Sequence, residues 1–106
     1  MAWFYLFLAG ISEVGWAIGL KYTEGFTRFW PSALTVVVMI LSFVLLGQAL
    51  RSLPIGTAYA IWTGIGAIGT ALAGMVLFGE PRDVLRLVCL ALIVAGIVGL
   101  KVVTPS

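Results

Sequence analysis

The chain has 106 residues, of which 62% are apolar and 9% charged, and its mean hydropathy is +1.20. A soluble domain carries about 25% charged residues, so this chain cannot cover its surface in water. Six Lys and Arg against four Asp and Glu lie scattered between hydrophobic blocks, which excludes a nucleic-acid-binding surface. A single cysteine, Cys89, excludes an intrachain disulfide and carries no assigned role, and the absence of histidine excludes a zinc-type cluster. No metal and no cofactor is expected, and triad catalysis has almost no residues to draw on.

The ionisable residues divide the chain into four blocks. Trp3 to Leu20 carries one charge, Glu13; Phe29 to Leu50 and Ser52 to Gly79 carry none; Val84 to Val103 is interrupted only by Arg86 and Lys101. A helix crossing a ~30 Å hydrocarbon core needs about 20 residues, and in lipid an open chain can satisfy its backbone only as helix. The expectation is an all-α membrane protein, one domain over 1–106, with transmembrane helices at about 3–20, 30–50, 55–78 and 84–103. Trp3, Tyr5, Tyr22 and Trp30 fall where aromatic belts form, and Arg86 and Lys101 can snorkel from the fourth span. Pro31 suits a first helical turn, whereas Pro54 and Pro81 fall in connections. The first block has no Lys or Arg before it and Glu13 within it, so it reads as a retained helix rather than a signal peptide.

Orientation is weakly encoded. With the N-terminus inside, Arg51 and Lys101 lie inside and Lys21, Arg28, Arg82 and Arg86 outside. The reverse orientation gives only a small preference, reduced by the amino terminus. Insertion in both orientations, giving antiparallel partners, is the favoured expectation. No internal repeat is evident, so inverted symmetry has to come from a second copy.

Glu13 lies about 15 Å along the first helix from Trp3, close to mid-membrane. No Lys or Arg occurs at comparable depth, and a carboxylate there costs about 2.5–3.5 kcal/mol on insertion scales. Without a fixed counter-ion it is satisfied either by a proton or by a cation, and competition between the two gives coupled exchange. Leu6, Ala9, Gly10, Trp16, Ala17 and Leu20 share its face. Tyr59, Trp62 and Gly66 form a stripe on the third helix, and Ser42 is the polar residue midway along the second. If the aromatic stripe faces Glu13, the cavity holds a carboxylate, aromatic walls for a cation and hydroxyls to orient it. Ala91, Ala95 and Gly99 repeat every four residues, as do Gly66, Thr70 and Gly74, allowing close helix contact within or between chains. The run Gly64-Ile65-Gly66-Ala67-Ile68-Gly69 can pack or bend its helix.

Four short spans enclose little interior, so two copies with two Glu13 side chains are preferred to a monomeric carrier. Two other classes fit less well. A rotor-ring proteolipid needs only two helices. An accessory protein would use Glu13 only to pair with a partner helix.

Specific motifs then point to a family. They are Ser12-Glu13-Val14, the loop Leu20-Lys21-Tyr22-Thr23-Glu24-Gly25-Phe26-Thr27-Arg28, Trp30-Pro31-Ser32, and the run from Pro54 to Gly64. Over essentially its whole length the chain resembles the small multidrug resistance family of bacterial proton-coupled exporters. Trp16, Phe78-Gly79-Glu80 and Lys101 after Gly99-Leu100 resemble its guanidinium branch rather than its multidrug branch. The resemblance implies an antiparallel homodimer in the bacterial inner membrane, with lipid, protons and a guanidinium or guanidinyl cation as partners. It implies that Glu13 binds substrate or protons, that Ser42 and Trp62 orient the carboxylate, that Tyr59 and Trp16 line the pocket, and that Gly10 permits close approach. Guanidinium suits a carboxylate because its planar donor fork is matched bidentately. Export of quaternary ammonium and aromatic cations is the alternative.

Overall fold

Each apolar block folds as one continuous helix. In a computed structural model describing residues 1–104, the helices are α1 (Ala2–Tyr22), α2 (Phe29–Ala49), α3 (Ile55–Leu77) and α4 (Val84–Val103). The last two residues of the expected 1–106 domain lie outside the described residues. At 1.5 Å per residue, each helix is roughly 30–35 Å long, the thickness of a hydrocarbon core. All four are long and apolar enough to cross a membrane.

The connections are short and tightly built. Thr23 is buried, donates its hydroxyl to the Leu20 carbonyl at 2.7 Å and accepts the Phe26 N–H at 3.2 Å. That turn carries Glu24, Gly25 and Phe26 through positive φ, with Arg28 reaching back to Glu24 at 3.6 Å on the exposed surface. Pro54 takes the N-cap of α3 and Pro31 falls in the first turn of α2, where a missing N–H leaves no helical bond unmade. α3 ends at Leu77, and two residues on Gly79 takes a φ of +66°. Beyond it the Glu80 N–H reaches the Gly74 carbonyl at 3.2 Å, and Arg82 donates to the Met75 carbonyl at 3.2 Å.

Small residues decide how the helices pair. Between α1 and α2, Gly15 meets Val38 and Gly19 meets Thr35; between α1 and α3, Gly10 meets Ile65, Gly66 meets Glu13 and Gly69 meets Val14. Residue numbers fall on α2 as they rise on α1, so these two run antiparallel, whereas α1 and α3 run parallel. Gly64 packs on Ile97 and Ile93, which sets α4 against α3. The α-helix is unbroken through the glycine-rich run 64–69, so those glycines serve close packing.

α1 is the central helix, packed on α2 and α3, while α4 packs only on α3 at the level of the backbone. The side chain of Lys101 nevertheless reaches the Trp3 ring of α1 at 4.8 Å. The buried cluster comprises Leu6, Ala9, Ala49, Leu53, Ala58, Ile61 and Trp62. α4 contributes no buried residue, and Ala91, Ala95 and Gly99 are exposed on it, so that ridge makes no close contact inside the chain. The result is a plate of 43 × 35 × 17 Å with a radius of gyration of 14.7 Å, larger than the about 13 Å of a compact domain this long.

Close approach makes a specific demand at Gly10. A Cβ there would sit 2.6 Å from Ile65 Cγ2 and 2.7 Å from Ile65 Cβ, and a branch point beside the backbone cannot swing away. Gly10→Ala should therefore lower stability by about 1–3 kcal/mol. Gly47→Ala, with nothing within 4 Å, should leave it nearly unchanged. Reversible unfolding in detergent, followed by circular dichroism, measures both.

Candidate functional site

The site is built around one backbone carbonyl. Ser42 Oγ of α2 donates to the Ala9 carbonyl of α1 at 2.8 Å. Trp62 Nε1 of α3 is shared between that carbonyl, at 3.2 Å, and Ser42 Oγ, at 3.0 Å. Ala9 and Ser42 are fully buried and Trp62 is 6% exposed. In an α-helix the Ala9 carbonyl also accepts the N–H four residues on, which belongs to Glu13. Three helices thus converge on the carbonyl one turn before the carboxylate. Ser42 and Trp62 hold the backbone that carries Glu13, and neither bonds its side chain directly.

Glu13 points from α1 to α3. Gly66 lies beneath it, and a Cβ on Gly66 would collide with Oε1 and Cδ and come within 2.8 Å of Cγ. Glycine is what lets a carboxylate fit between two parallel helices. Oε1 is buried with no hydrogen-bond partner, and so is Trp16 Nε1, one turn further along the same face. Nearly all buried polar groups are paired, so an unpaired acceptor and an unpaired donor on one face of α1 stand apart.

An aromatic row crosses the three helices beside this face. Trp16 lies 6.4 Å from Phe43, Phe43 5.6 Å from Trp62, and Trp62 5.6 Å from Tyr59, between ring centroids. Phe43 and Tyr59 are about half exposed. Phe43 joins the row although the sequence gives no sign of it: α2 is apolar all round, so no periodicity separates one phenylalanine from the rest. The Ala9 carbonyl is likewise invisible in sequence, because any residue supplies a carbonyl. Gly10, Glu13, Trp16, Ser42, Tyr59, Trp62 and Gly66 all fall on or beside the interface of α1 with α2 and α3. Gly64 turns to α4, and Ala91, Ala95 and Gly99 lie away from the site.

Residues 1–93 match the family described as Small Multidrug Resistance protein. The chain belongs to the small multidrug resistance family. Among curated relatives it is 59% identical over 104 residues to the guanidinium exporter of Escherichia coli K12, covering 98% of this chain and 99% of that protein. It is 57% identical over 101 residues to the guanidinium exporter of Proteus vulgaris, covering 95% and 97%. The guanidinium exporter of Citrobacter freundii is 58% identical over 104 residues, covering 98% and 99%. Together with the four membrane-crossing helices, this family membership makes the chain a multi-pass protein of the bacterial inner membrane.

Because Trp62 Nε1 is shared, Ser42→Ala and Trp62→Phe each remove the bond between them. Hydrogen bonds between membrane helices average about 0.6 kcal/mol, up to about 1.7. The double variant should therefore lose less stability than the sum of the single losses, by at least about 0.5 kcal/mol. Strict additivity in a denaturant cycle would mean that the two side chains act independently.

Proposed function

We propose that this protein exports guanidinium and small guanidinyl cations in exchange for protons, both competing for Glu13, and that it works as an antiparallel homodimer. The observation that carries the reading is the unpaired, buried Oε1 of Glu13 beside an aromatic row. The relatives named guanidinium exporters direct it to that substrate. On this reading the protein is a transporter rather than an enzyme: nothing is transferred except the ligand itself.

The chemistry follows from the site. Guanidinium presents parallel N–H donors that a carboxylate accepts two at a time, and its flat face stacks on aromatic rings. A proton on the carboxylate removes both the charge and the second acceptor, so proton and cation exclude each other. Trp16 stands one turn from Glu13 and would limit the opening to a planar ligand, with its indole N–H available to a carboxylate oxygen. Ser42 and Trp62 keep the Glu13 backbone in place through the Ala9 carbonyl.

Three features support pairing. The chain is a thin plate whose aromatic row is half exposed. The ridge Ala91, Ala95 and Gly99 faces away from its own bundle, and small residues allow close helix contact. Finally, the Lys and Arg bias is weak enough to permit both insertions.

In liposomes containing only this protein, guanidinium should evoke a transport current that Glu13→Gln abolishes. A current that survives in Glu13→Gln would sink the assignment of Glu13.

The aromatic row also favours a second reading, export of bulky aromatic and quaternary ammonium cations. Trp16→Gly should widen the accepted range to tetraalkylammonium ions in the same current assay. Wild-type currents with those ions as large as with guanidinium would favour the multidrug reading instead.

A further inference from the structure

A groove runs between α1 and α4, with α3 as its floor. Because α4 packs only on α3 at the level of the backbone, a cleft is left between it and α1. The end nearer the membrane surface is a cavity of about 170 Å³, bounded by Trp3, Phe7, Ile65, Ile97 and Lys101 among others. Phe7, Ile65 and Ile97 also bound a second cavity, of about 370 Å³, that continues to Val14 and Val94. The shared walls make the two one groove.

Its length and its chemistry are those of one lipid leaflet. From Trp3 to Val14 the α1 wall descends about 16 Å at 1.5 Å per residue, half of a ~30 Å hydrocarbon core. The α4 wall runs the other way, from Lys101 through Ile97 to Val94. Among the described residues, Lys101 is the one charged side chain that lines the groove, and no Asp or Glu lines it. The Lys101 ammonium is held at the surface end over the Trp3 ring, 4.8 Å from the centroid, a contact that positions the charge without cancelling it. Phe7, Ile11, Val94 and Val98 are each about half exposed, so the groove opens sideways. Val94 and Val98 precede Ala95 and Gly99 by one residue, about 100° round the helix, which sets the groove apart from the small-residue ridge.

We propose that the groove is a docking site for an anionic phospholipid, with one acyl chain between α1 and α4 and the phosphate on the Lys101 ammonium. The inference is independent of the exchange at Glu13. Close approach of another helix needs small residues, and the side walls here are Phe7, Ile11, Val94, Ile97 and Val98; a flexible acyl chain fits between such side chains where a helix does not. A phosphate takes charge-assisted hydrogen bonds from an ammonium. A zwitterionic headgroup would bring its own cation towards Lys101 and find no carboxylate in the groove to receive it, so the site favours a lipid of net negative charge.

The test uses full-length protein in phosphatidylcholine liposomes, titrated with phosphatidylglycerol or phosphatidylcholine that carries a nitroxide near the top of one acyl chain. The readout is quenching of Trp3 fluorescence, isolated by subtracting the signal of Trp3→Phe. Phosphatidylglycerol should quench Trp3 at about fivefold lower mole fraction than phosphatidylcholine, the effect of one basic side chain at an anionic surface. Lys101→Gln should abolish that preference and Lys101→Arg should keep it. Arg51, which lies by Met1 and Ala2 at the same membrane surface but outside the groove, serves as the control, and Arg51→Gln should keep the preference too. Val98→Phe, which narrows the groove from a half-exposed position, should weaken quenching by both lipids. Equal quenching by the two lipids in the wild type overturns the proposal, as does an equal loss of preference in Arg51→Gln, which would make it a general effect of surface charge. Undiminished quenching in Val98→Phe overturns the seating of the chain, and no quenching of Trp3 by either lipid would mean that a second copy covers the groove instead.

Discussion

The Ala9 carbonyl organises this protein. Lipid provides no hydrophobic force between helices, so association depends on close packing and on polar bonds that have nowhere else to go. Ser42 and Trp62 spend their donors on the same carbonyl, fixing α2 and α3 to α1 at one depth. That depth is one turn from Glu13, so the bond that assembles the fold also sets the position of the carboxylate. The glycines at 10, 15, 19, 66 and 69 then let the helices approach closely enough for those bonds to form.

A consequence is economy of interior. Seven residues form the buried cluster, and α4 adds none to it. Three helices tied at one node leave Phe43 and Tyr59 half exposed and a peripheral helix with a bare small-residue ridge. The chain by itself leaves the Phe43 and Tyr59 end of the aromatic row uncovered. The proposed pairing turns that weakness into a device: the missing wall is another copy, and a wall that is a separate molecule can shift relative to the first.

The spans were legible because hydrophobic length alone determines them, and Glu13 because a charge at mid-membrane depth has few innocuous explanations. Trp62 and Ser42 could be singled out as polar or amphipathic groups in otherwise apolar helices, but their common partner could not. Periodicity, which identifies the core face of a soluble helix, fails where both the core face and the lipid face are apolar. This is why the sequence does not single out Phe43 and does not say which way Ala91, Ala95 and Gly99 face. Thr70 reads as one member of a small-residue ridge, and the sequence gives no sign that its hydroxyl goes unpaired.

An exchanger of two cations imposes a requirement opposite to that of a stable core. If the fold gave Glu13 Oε1 a permanent donor, the carboxylate would be satisfied and would release little free energy on meeting either ligand. Leaving a buried acceptor unpaired costs about 1–3 kcal/mol, and the bonds at the Ala9 carbonyl stabilise the fold without supplying the missing one. Ser42 and Trp62 are placed to stabilise the turn before Glu13 while leaving its side chain unbonded. On the proposed reading, the unpaired Glu13 Oε1 and Trp16 Nε1 are not defects of packing but the positions at which protons and substrate act.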